Sequence, residues 1–287
     1  MILKNEQLTV TVRELGAELT GLHHNFHNLE YIWPGKPEWP KHSPVLFPVV
    51  GTLNKGYFRY EGKQYAMGRH GFAREKTFII EEQREDQVTF RLESDAQTLK
   101  HYPFPFRFRI RYQLQEETLS VNYQVENTGA QPLHFSLGAH PAFNVPLVKG
   151  LAFDDYFLQF STTENADRWP ITADGLIAAE SVPFFQNDDR LDLKKSLFYK
   201  DALVFKTVQS DRISIRTDKS PHGLDVHMPG FPFLGLWSAK DADFVCIEPW
   251  CGIADTENFQ GDISGKEGII TLDPGADFIR QWTVKVY

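Results

Sequence analysis

Runs that alternate between apolar and polar residues recur along this chain, and they restrict its fold more than any other feature. In RFRIRYQL (107–114) the apolar side chains occupy every second position, and LSVNYQVEN (119–127) repeats the pattern. A period of two is typical of strands that bury one face. The four residues between the runs, QEET (115–118), predict a hairpin turn.

The same period appears in QVTFRL (87–92), RISIRT (212–217) and QWTVKVY (281–287), whereas only SDAQTLKHY (94–102) suggests a helix, of one or two turns. The 23 Phe, 10 Tyr and 6 Trp residues add to this tendency, because aromatic side chains favour pleated, half-buried surfaces. We therefore predict an all-β fold, a large antiparallel β-sandwich, with residues 1–287 forming a single domain.

The charge balance argues against two classes of partner. Asp and Glu number 38 against 30 Lys and Arg, a formal net charge of −8. Nucleic acids and anionic membranes both select a basic face, so we expect neither as a partner. No apolar run approaches the roughly 18 residues of a membrane span, and the first residues lack the pattern of a signal peptide. We expect a cytoplasmic protein.

Residues that commonly bind metals are present without a recognisable metal motif. Cys246 and Cys251, in CIEPWC, lack the second ligand pair of a structural zinc site, and we expect free thiols. His222 and His227 flank an aspartate, but their odd separation would place them on opposite faces of a strand. No phosphate-binding loop or dinucleotide fingerprint is present either. We therefore predict neither a metal nor a cofactor.

Two segments near the middle of the first half break the strand pattern. Three prolines interrupt WPKHSPVLFPVVGTL (39–53), which predicts a loop crossing a sheet, because proline cannot donate to a strand ladder. In GRHGFAREKTF (68–78), His70 and Arg74 lie close to Gly71, which permits close backbone approach. His70 is a candidate ligand-binding residue, and the alternative is a histidine satisfied within a turn or the core.

Two later segments also break the pattern. In LGAHPAFNVP (137–146), a strand-like run ends at His140 between Gly-Ala and Pro. In FVCIEPWCGIAD (244–255), a buried strand is expected to end at Glu248, where partial desolvation would raise the carboxyl pKa toward values useful for proton transfer. The alternatives are that His140 only terminates a strand and that Glu248 is paired with an arginine such as Arg74.

Taken in order, RHGFAR (69–74), GAHPAFNVP (138–146) and CIEPWCG (246–252) resemble the aldose 1-epimerase, or galactose mutarotase-like, family, and its LacX-like branch most closely. The resemblance extends over essentially the whole chain. It implies the galactose mutarotase-like supersandwich, with a sugar cleft across one open face. It also implies an activity, the interconversion of α and β anomers.

The resemblance assigns roles to particular residues. His140 is the implied general acid, Glu248 the implied general base, and His70 the residue that holds the sugar. The aspartate motif of galactose-specific members is absent, and Asp201, in FYKDALVF, is the nearest candidate. Thr52 stands where many relatives carry an arginine. Both departures bear on which sugar is used more than on the chemistry.

Anomer exchange needs the residue types found here. One group takes the proton of the C1 hydroxyl while another protonates the ring oxygen, and each positioned group contributes about 10²–10⁴-fold. We therefore expect an aldose 1-epimerase that acts on a small-molecule sugar or sugar phosphate. Arg74 is expected to help bind hydroxyls or phosphate, and Trp237 and Trp250 to wall the pocket, unless they are only core residues.

Two other functions remain open from the sequence. The fold is compatible with a non-catalytic carbohydrate-binding or sensing protein, because fold does not determine function. An isomerase or lyase that reuses the cleft is also compatible. The presence of both His140 and Glu248 favours the epimerase, since binding alone does not require an acid and a base. For assembly we expect a monomer or a homodimer.

Overall fold

Short antiparallel strands follow one another through residues 1–287, all of which the computed structural model describes. The first nine are β1 (Ile2–Lys4), β2 (Leu8–Arg13), β3 (Glu18–His24), β4 (Leu29–Glu30), β5 (Val45–Leu46), β6 (Tyr57–Tyr60), β7 (Lys63–Ala66), β8 (Ile79–Gln83) and β9 (Gln87–Glu93). The next eight are β10 (Phe106–Gln115), β11 (Thr118–Asn127), β12 (Leu133–Phe135), β13 (Leu137–Ala139), β14 (Ala142–Asn144), β15 (Tyr156–Glu164), β16 (Asp167–Trp169) and β17 (Val182–Pro183). The last eight are β18 (Asp188–Asp192), β19 (Leu203–Phe205), β20 (Arg212–Thr217), β21 (Ser220–His227), β22 (Phe233–Trp237), β23 (Phe244–Cys251), β24 (Ile270–Leu272) and β25 (Asp277–Val286).

Helical structure is limited to single turns. The α-helical turn α1 comprises Thr98–His101, inside the predicted segment 94–102. Five 3₁₀ turns comprise Asn54–Gly56, Ala73–Glu75, Phe153–Asp155, Lys195–Phe198 and Ile263–Gly265. No helix reaches the length and apolar character that crossing a membrane requires.

Two large sheets dominate the structure. One has nine strands in the order β18-β15-β20-β21-β25-β11-β10-β9-β8, and the other has eight, in the order β17-β16-β19-β22-β23-β13-β5 with β14 also paired to β23. Their strand pairings are antiparallel throughout. A four-stranded sheet, β1-β2-β3-β4, covers the N-terminal part. The predicted all-β antiparallel sandwich is therefore confirmed, while the single domain over 1–287 stays a prediction.

The hydrophobic core joins the inner faces of the two large sheets. One cluster of 63 buried residues extends from Leu3 to Val286 and contains side chains of both sheets. Phe47, next to the edge strand β5, stacks on Phe108 of β10 with ring centroids 4.6 Å apart. Alternation along β10 and β11 directs every second side chain into this core, as the sequence predicts.

Two local expectations need correction. The segment 39–53 is mostly irregular, but it is more than a loop, because Val45–Leu46 pairs with β13 as an edge strand of the eight-stranded sheet. Glu248 does not end a strand, because β23 continues through Pro249 to Cys251. The strand can continue through Pro249 because residues 247–249 of β23 pair with neither β13 nor β14. The missing N–H of the proline therefore costs no hydrogen bond to those strands.

Candidate active site

The strand register brings His140 and Glu248 together. Strand β13 pairs with the end of β23, with Leu137 opposite Cys251, and β14 pairs with its beginning, with Ala142 opposite Cys246. The register is the same on both sides of the interruption at residues 140–141. His140 therefore lies opposite Glu248, at the point where the ladder is broken.

Burial controls the protonation of this pair. His140 Nε2 lies 3.4 Å from Glu248 Oε2, and the two side chains are 10% and 1% exposed. Burial raises the pKa of Glu248 well above the usual carboxyl value, with Arg69 opposing the rise. Burial, with a smaller contribution from Arg69, lowers the pKa of His140 below the usual imidazole value. The two directions favour the form of the pair in which Glu248 is protonated and His140 is neutral.

His70 is held by the backbone in a conformation that few non-glycine residues adopt. Its φ is 68°, and Gly71, which follows, has no room for a side chain, since a Cβ would lie 2.3 Å from the Phe47 carbonyl oxygen. The N–H of Gly51 donates to His70 Nδ1 at 3.1 Å. Such a left-handed residue persists only where its surroundings enforce it, and such residues cluster at functional sites.

The bond from Gly51 also determines which ring nitrogen of His70 is free. Burial lowers the pKa of His70 well below the usual value, so the ring is neutral. A neutral imidazole accepts at one nitrogen only. Arg69 Nε, 3.3 Å from His70 Nε2, competes with the shorter backbone bond at Nδ1. With Nδ1 accepting, Nε2 carries the proton and is available as a donor to a ligand.

All seven residues that the sequence analysis assigned to the site line one cavity of about 310 Å³. They are His70, Arg74, His140, Asp201, Trp237, Glu248 and Trp250. Arg69, which flanks His70 in the sequence, lines the cavity as well. The remaining lining residues were not assigned to the site from the sequence, and they are Trp39, Lys41, Pro44, Gly51, Ile171, Gly175, Ile177, Ala202, Val204 and Ala254. The volume is close to the lower end of typical ligand pockets, about 300–1,000 Å³, and suits one small molecule.

Trp250 lies against the sheet because two neighbouring strands carry glycines there. Gly138 of β13 and Gly235 of β22 border the indole, and a Cβ at either position would lie 2.6 or 2.5 Å from its ring atoms. The ring thus covers the two strands on either side of β23. Trp237 belongs to β22 and is only partly buried, so both tryptophans present ring surface to the cavity.

Aromatic rings also enclose His140. Trp39 stacks on the imidazole with ring centroids 5.1 Å apart and an interplanar angle of 26°. Trp237 meets the imidazole edge-on at 5.6 Å, and His70 does so at 5.8 Å. Trp39 was missed because the proline-rich segment was interpreted as a connection. The signal that would have identified it is a tryptophan between prolines, beside an aromatic-rich site.

Basic side chains outnumber acidic ones among the residues that line the cavity. Arg69 Nη2 lies 3.6 Å from Asp201 Oδ1, and Arg74 donates to the Arg69 carbonyl oxygen at 2.8 Å. Arg74 pairs at 3.7 Å with the exposed Glu75, so the alternative pairing of Arg74 with Glu248 is wrong. Burial lowers the pKa of Lys41, and nearby Arg74 adds to the effect. Three basic side chains, Lys41, Arg69 and Arg74, therefore border a cavity that is also lined by two acidic ones, Asp201 and Glu248.

The residues that commonly bind metals have separate surroundings. Both cysteines are free and buried, as expected. The His222 ring packs on His27, whereas His227 lies beside Asp211 at 3.3 Å. The structure does group three potential ligands elsewhere, namely His140, Cys246 and Glu248, whose ligand atoms lie within 4.8 Å of one another.

The large antiparallel sandwich, with a buried His140–Glu248 pair in a tryptophan-walled cavity, has the fold of galactose mutarotase-like proteins. Two solved structures share the fold along their length. A galactose mutarotase related enzyme from Lactobacillus acidophilus is 33% identical, with a TM-score of 0.96 over 100% of this chain and 97% of its own. A galactose mutarotase-like protein from Lactobacillus casei is 30% identical, with a TM-score of 0.93 over 100% and 99%.

The sequence comparisons identify the family. The model of the aldose 1-epimerase family matches residues 1–271. The chromosomal protein LacX of Lactococcus lactis subsp. lactis is 37% identical over a match of 264 residues, and the match covers 88% of this chain and 87% of that protein. This chain belongs to the aldose 1-epimerase family, and a sugar-type small molecule is the ligand that the family implies.

Proposed function

We propose that this protein is a cofactor-independent aldose 1-epimerase, in which Glu248 and His140 exchange protons with a sugar. The observation that carries the proposal is the single opposed pair, with Nε2 and Oε2 3.4 Å apart at a cavity of sugar size. A sugar-binding protein has no need of a buried carboxyl and a buried imidazole with oppositely shifted pKa values.

A pair that holds one proton can carry out the whole reaction. The reactive form is the one in which the pair's proton has moved from Glu248 to His140. Glu248 then takes the proton of the C1 hydroxyl while His140 protonates the ring oxygen, and the C1–O5 bond breaks to give the open-chain aldehyde. The proton of the pair is then on Glu248. After rotation about C1–C2, the C5 hydroxyl adds to the other face of the aldehyde, His140 takes its proton, and Glu248 protonates O1. The pair ends as it began, so no net proton is consumed.

The remaining residues hold the sugar in place. His70 offers an Nε2–H donor to a hydroxyl. Trp39, Trp237 and Trp250 offer ring faces to the apolar side of a pyranose. The three cationic side chains that line the cavity favour an aldose phosphate over a free aldose, because a guanidinium matches phosphate geometry.

Substitution of each member of the pair tests the proposal. Glu248→Gln preserves shape but removes the base, and His140→Asn removes the acid, so each should slow anomer exchange at least about 10²-fold. Their losses should not add in the double variant, because the two groups act as a unit. Polarimetry or NMR exchange on freshly dissolved α-anomers, free and phosphorylated, measures the rates, and circular dichroism checks the fold.

A near-parental rate for folded Glu248→Gln on every sugar that the protein binds would exclude the assigned base. Saturable sugar binding without anomer exchange in the parent protein would instead support the non-catalytic carbohydrate-binding function.

A further inference from the structure

We propose that His140, Cys246 and Glu248 form a binding site for a borderline-soft divalent cation, with Zn²⁺ the best match, and that the bound ion blocks the acid–base pair. This goes beyond the proposed function, which leaves Cys246 without a role. The ligand atoms of the three residues lie within 4.8 Å of one another, and all three residues are buried.

The strand register explains how the site is built. Cys246 and Glu248 are two residues apart on β23 and therefore face the same side of the sheet. His140 reaches the same point from the break between β13 and β14. His140 and Glu248 line the cavity, whereas Cys246 does not, so the thiol lies behind the pair and an ion would enter from the cavity side.

The spacing of His140 and Glu248 suits a tetrahedral ion. Two ligands at about 2.0–2.1 Å from Zn²⁺, separated by the tetrahedral angle, are about 3.4 Å apart. His140 Nε2 and Glu248 Oε2 are 3.4 Å apart. Glu248 Oε2 is buried and has no hydrogen-bond partner, so a ligand atom is already directed at the site. The fourth position would face the cavity and take water.

The donor set selects the kind of ion. A thiolate and an imidazole disfavour Mg²⁺ and Ca²⁺, which prefer oxygen ligands, and favour Zn²⁺ or Co²⁺. The thiolate and the carboxylate together balance the two charges of the ion, with neutral His140 as the third ligand. Binding displaces the thiol proton, and the carboxyl proton where Glu248 carries it.

The chain offers a matched control in Cys251. It lies on the same strand and is also buried and free, but it belongs to the main core cluster on the opposite face. Cys246→Ala and Cys251→Ala therefore remove the same atom from similarly buried positions. Only Cys246→Ala removes a ligand.

Titration of the metal-free protein with Co²⁺, followed by absorption spectroscopy, tests the site without reference to activity. The parent and Cys251→Ala should show a thiolate-to-cobalt charge-transfer band that one equivalent of Zn²⁺ abolishes. Cys246→Ala should lack the band and bind Zn²⁺ at least about tenfold more weakly. Zn²⁺ should inhibit anomer exchange by the parent reversibly, with recovery in EDTA, and should inhibit Cys246→Ala much less. A parent spectrum without the band, a band that persists in Cys246→Ala, or equal inhibition of both variants would overturn the proposal.

Discussion

A buried ion pair, Lys266 with Asp255, provides a quantitative test of how this fold is stabilised beside the cavity. Lys266 Nζ lies 2.8 Å from Asp255 Oδ1, and the side chains are 1% and 4% exposed. Asp255 Oδ2 also accepts from the N–H of Asn54 at 2.8 Å, and the Asp255 N–H donates to the Thr52 carbonyl oxygen. Asp255 therefore joins the segment after β23 to the segment that follows Gly51, and Lys266 neutralises its buried charge.

The substitution Lys266→Met keeps most of the packing and removes the charge, which leaves the Asp255 carboxylate buried without its partner. The Coulomb attraction lost at this distance is about 6 kcal/mol at an effective dielectric constant of about 20. After relaxation, we expect the free energy of unfolding to fall by about 3–5 kcal/mol, as for other broken buried pairs. The melting temperature should fall by roughly 6–20 °C.

Lys195→Met is the matched control. Lys195 Nζ is also 2.8 Å from a carboxylate, that of Asp243, but these side chains are 32% and 55% exposed. Exposed pairs contribute at most about 1 kcal/mol, so its loss should be small. If Lys266→Met and Lys195→Met lower the free energy of unfolding in urea by the same amount, burial is not the reason that the Lys266–Asp255 pair stabilises the fold.

A second substitution identifies the cause of the loss. Asp255→Asn keeps an acceptor for the Asn54 N–H and removes the unpaired charge. Added to Lys266→Met, it should therefore recover part of the lost stability, even though it is destabilising in the parent. A double variant less stable than Lys266→Met alone would refute the reasoning that the cost comes from an uncompensated buried charge.

Three further predictions concern the cavity. Burial raises the pKa of Glu248 and lowers that of His140, so the form of the pair with one proton persists between these two pKa values. The rate of anomer exchange should fall in acid, where His140 adds a second proton to the pair, and in alkali, where Glu248 loses its proton. Glu248→Gln should therefore lose the alkaline limb of the pH–rate profile. Gly235→Ala should displace Trp250, since the new Cβ would lie 2.5 Å from the ring; we expect a cost of about 1–3 kcal/mol in urea unfolding and a higher KM. Arg74→Gln should lower kcat/KM for an aldose phosphate by about 10–100-fold and for the free aldose much less; equal losses would contradict a phosphate-binding role.

The local pattern was sufficient to predict the strands but not their order. Segments 107–114 and 119–127 lie in β10 and β11, and the turn between them falls at 116–117 as expected. By contrast, β25 pairs on one side with β11, more than 100 residues away, and on the other with β21. Such long-range pairing depends on the complementarity of whole faces, which an alternation pattern does not specify.

The same limit applies to the candidate site. His70, His140 and Glu248 were recognisable because each lies where the strand pattern breaks. Lys41 was not, since a single lysine among prolines is typical of any surface connection. The pairing of Lys266 with Asp255 was also unpredictable, because charged side chains are rarely buried and nothing in the sequence indicates that these two are.

The position of the proposed acid–base pair is determined by the hydrophobic core on the other face of β23. Val245, Ile247 and Cys251 belong to the main core cluster, so Cys246, Glu248 and Trp250, which have the opposite parity on the strand, must face the cavity side. A slip of one residue would exchange the two sets, bringing Ile247 to the cavity and a carboxylate into the core. The transfer of a carboxylate into an apolar core is far more costly than any local gain, so the core enforces the register.

The same apolar contacts that stabilise the sandwich thus place Glu248 opposite His140. His140 precedes Pro141, at the point where the ladder with β23 is interrupted. In this fold the geometry of the pair is therefore set by packing on the opposite face of the sheet, and substitutions there that shift β23 should alter the chemistry without contacting the sugar.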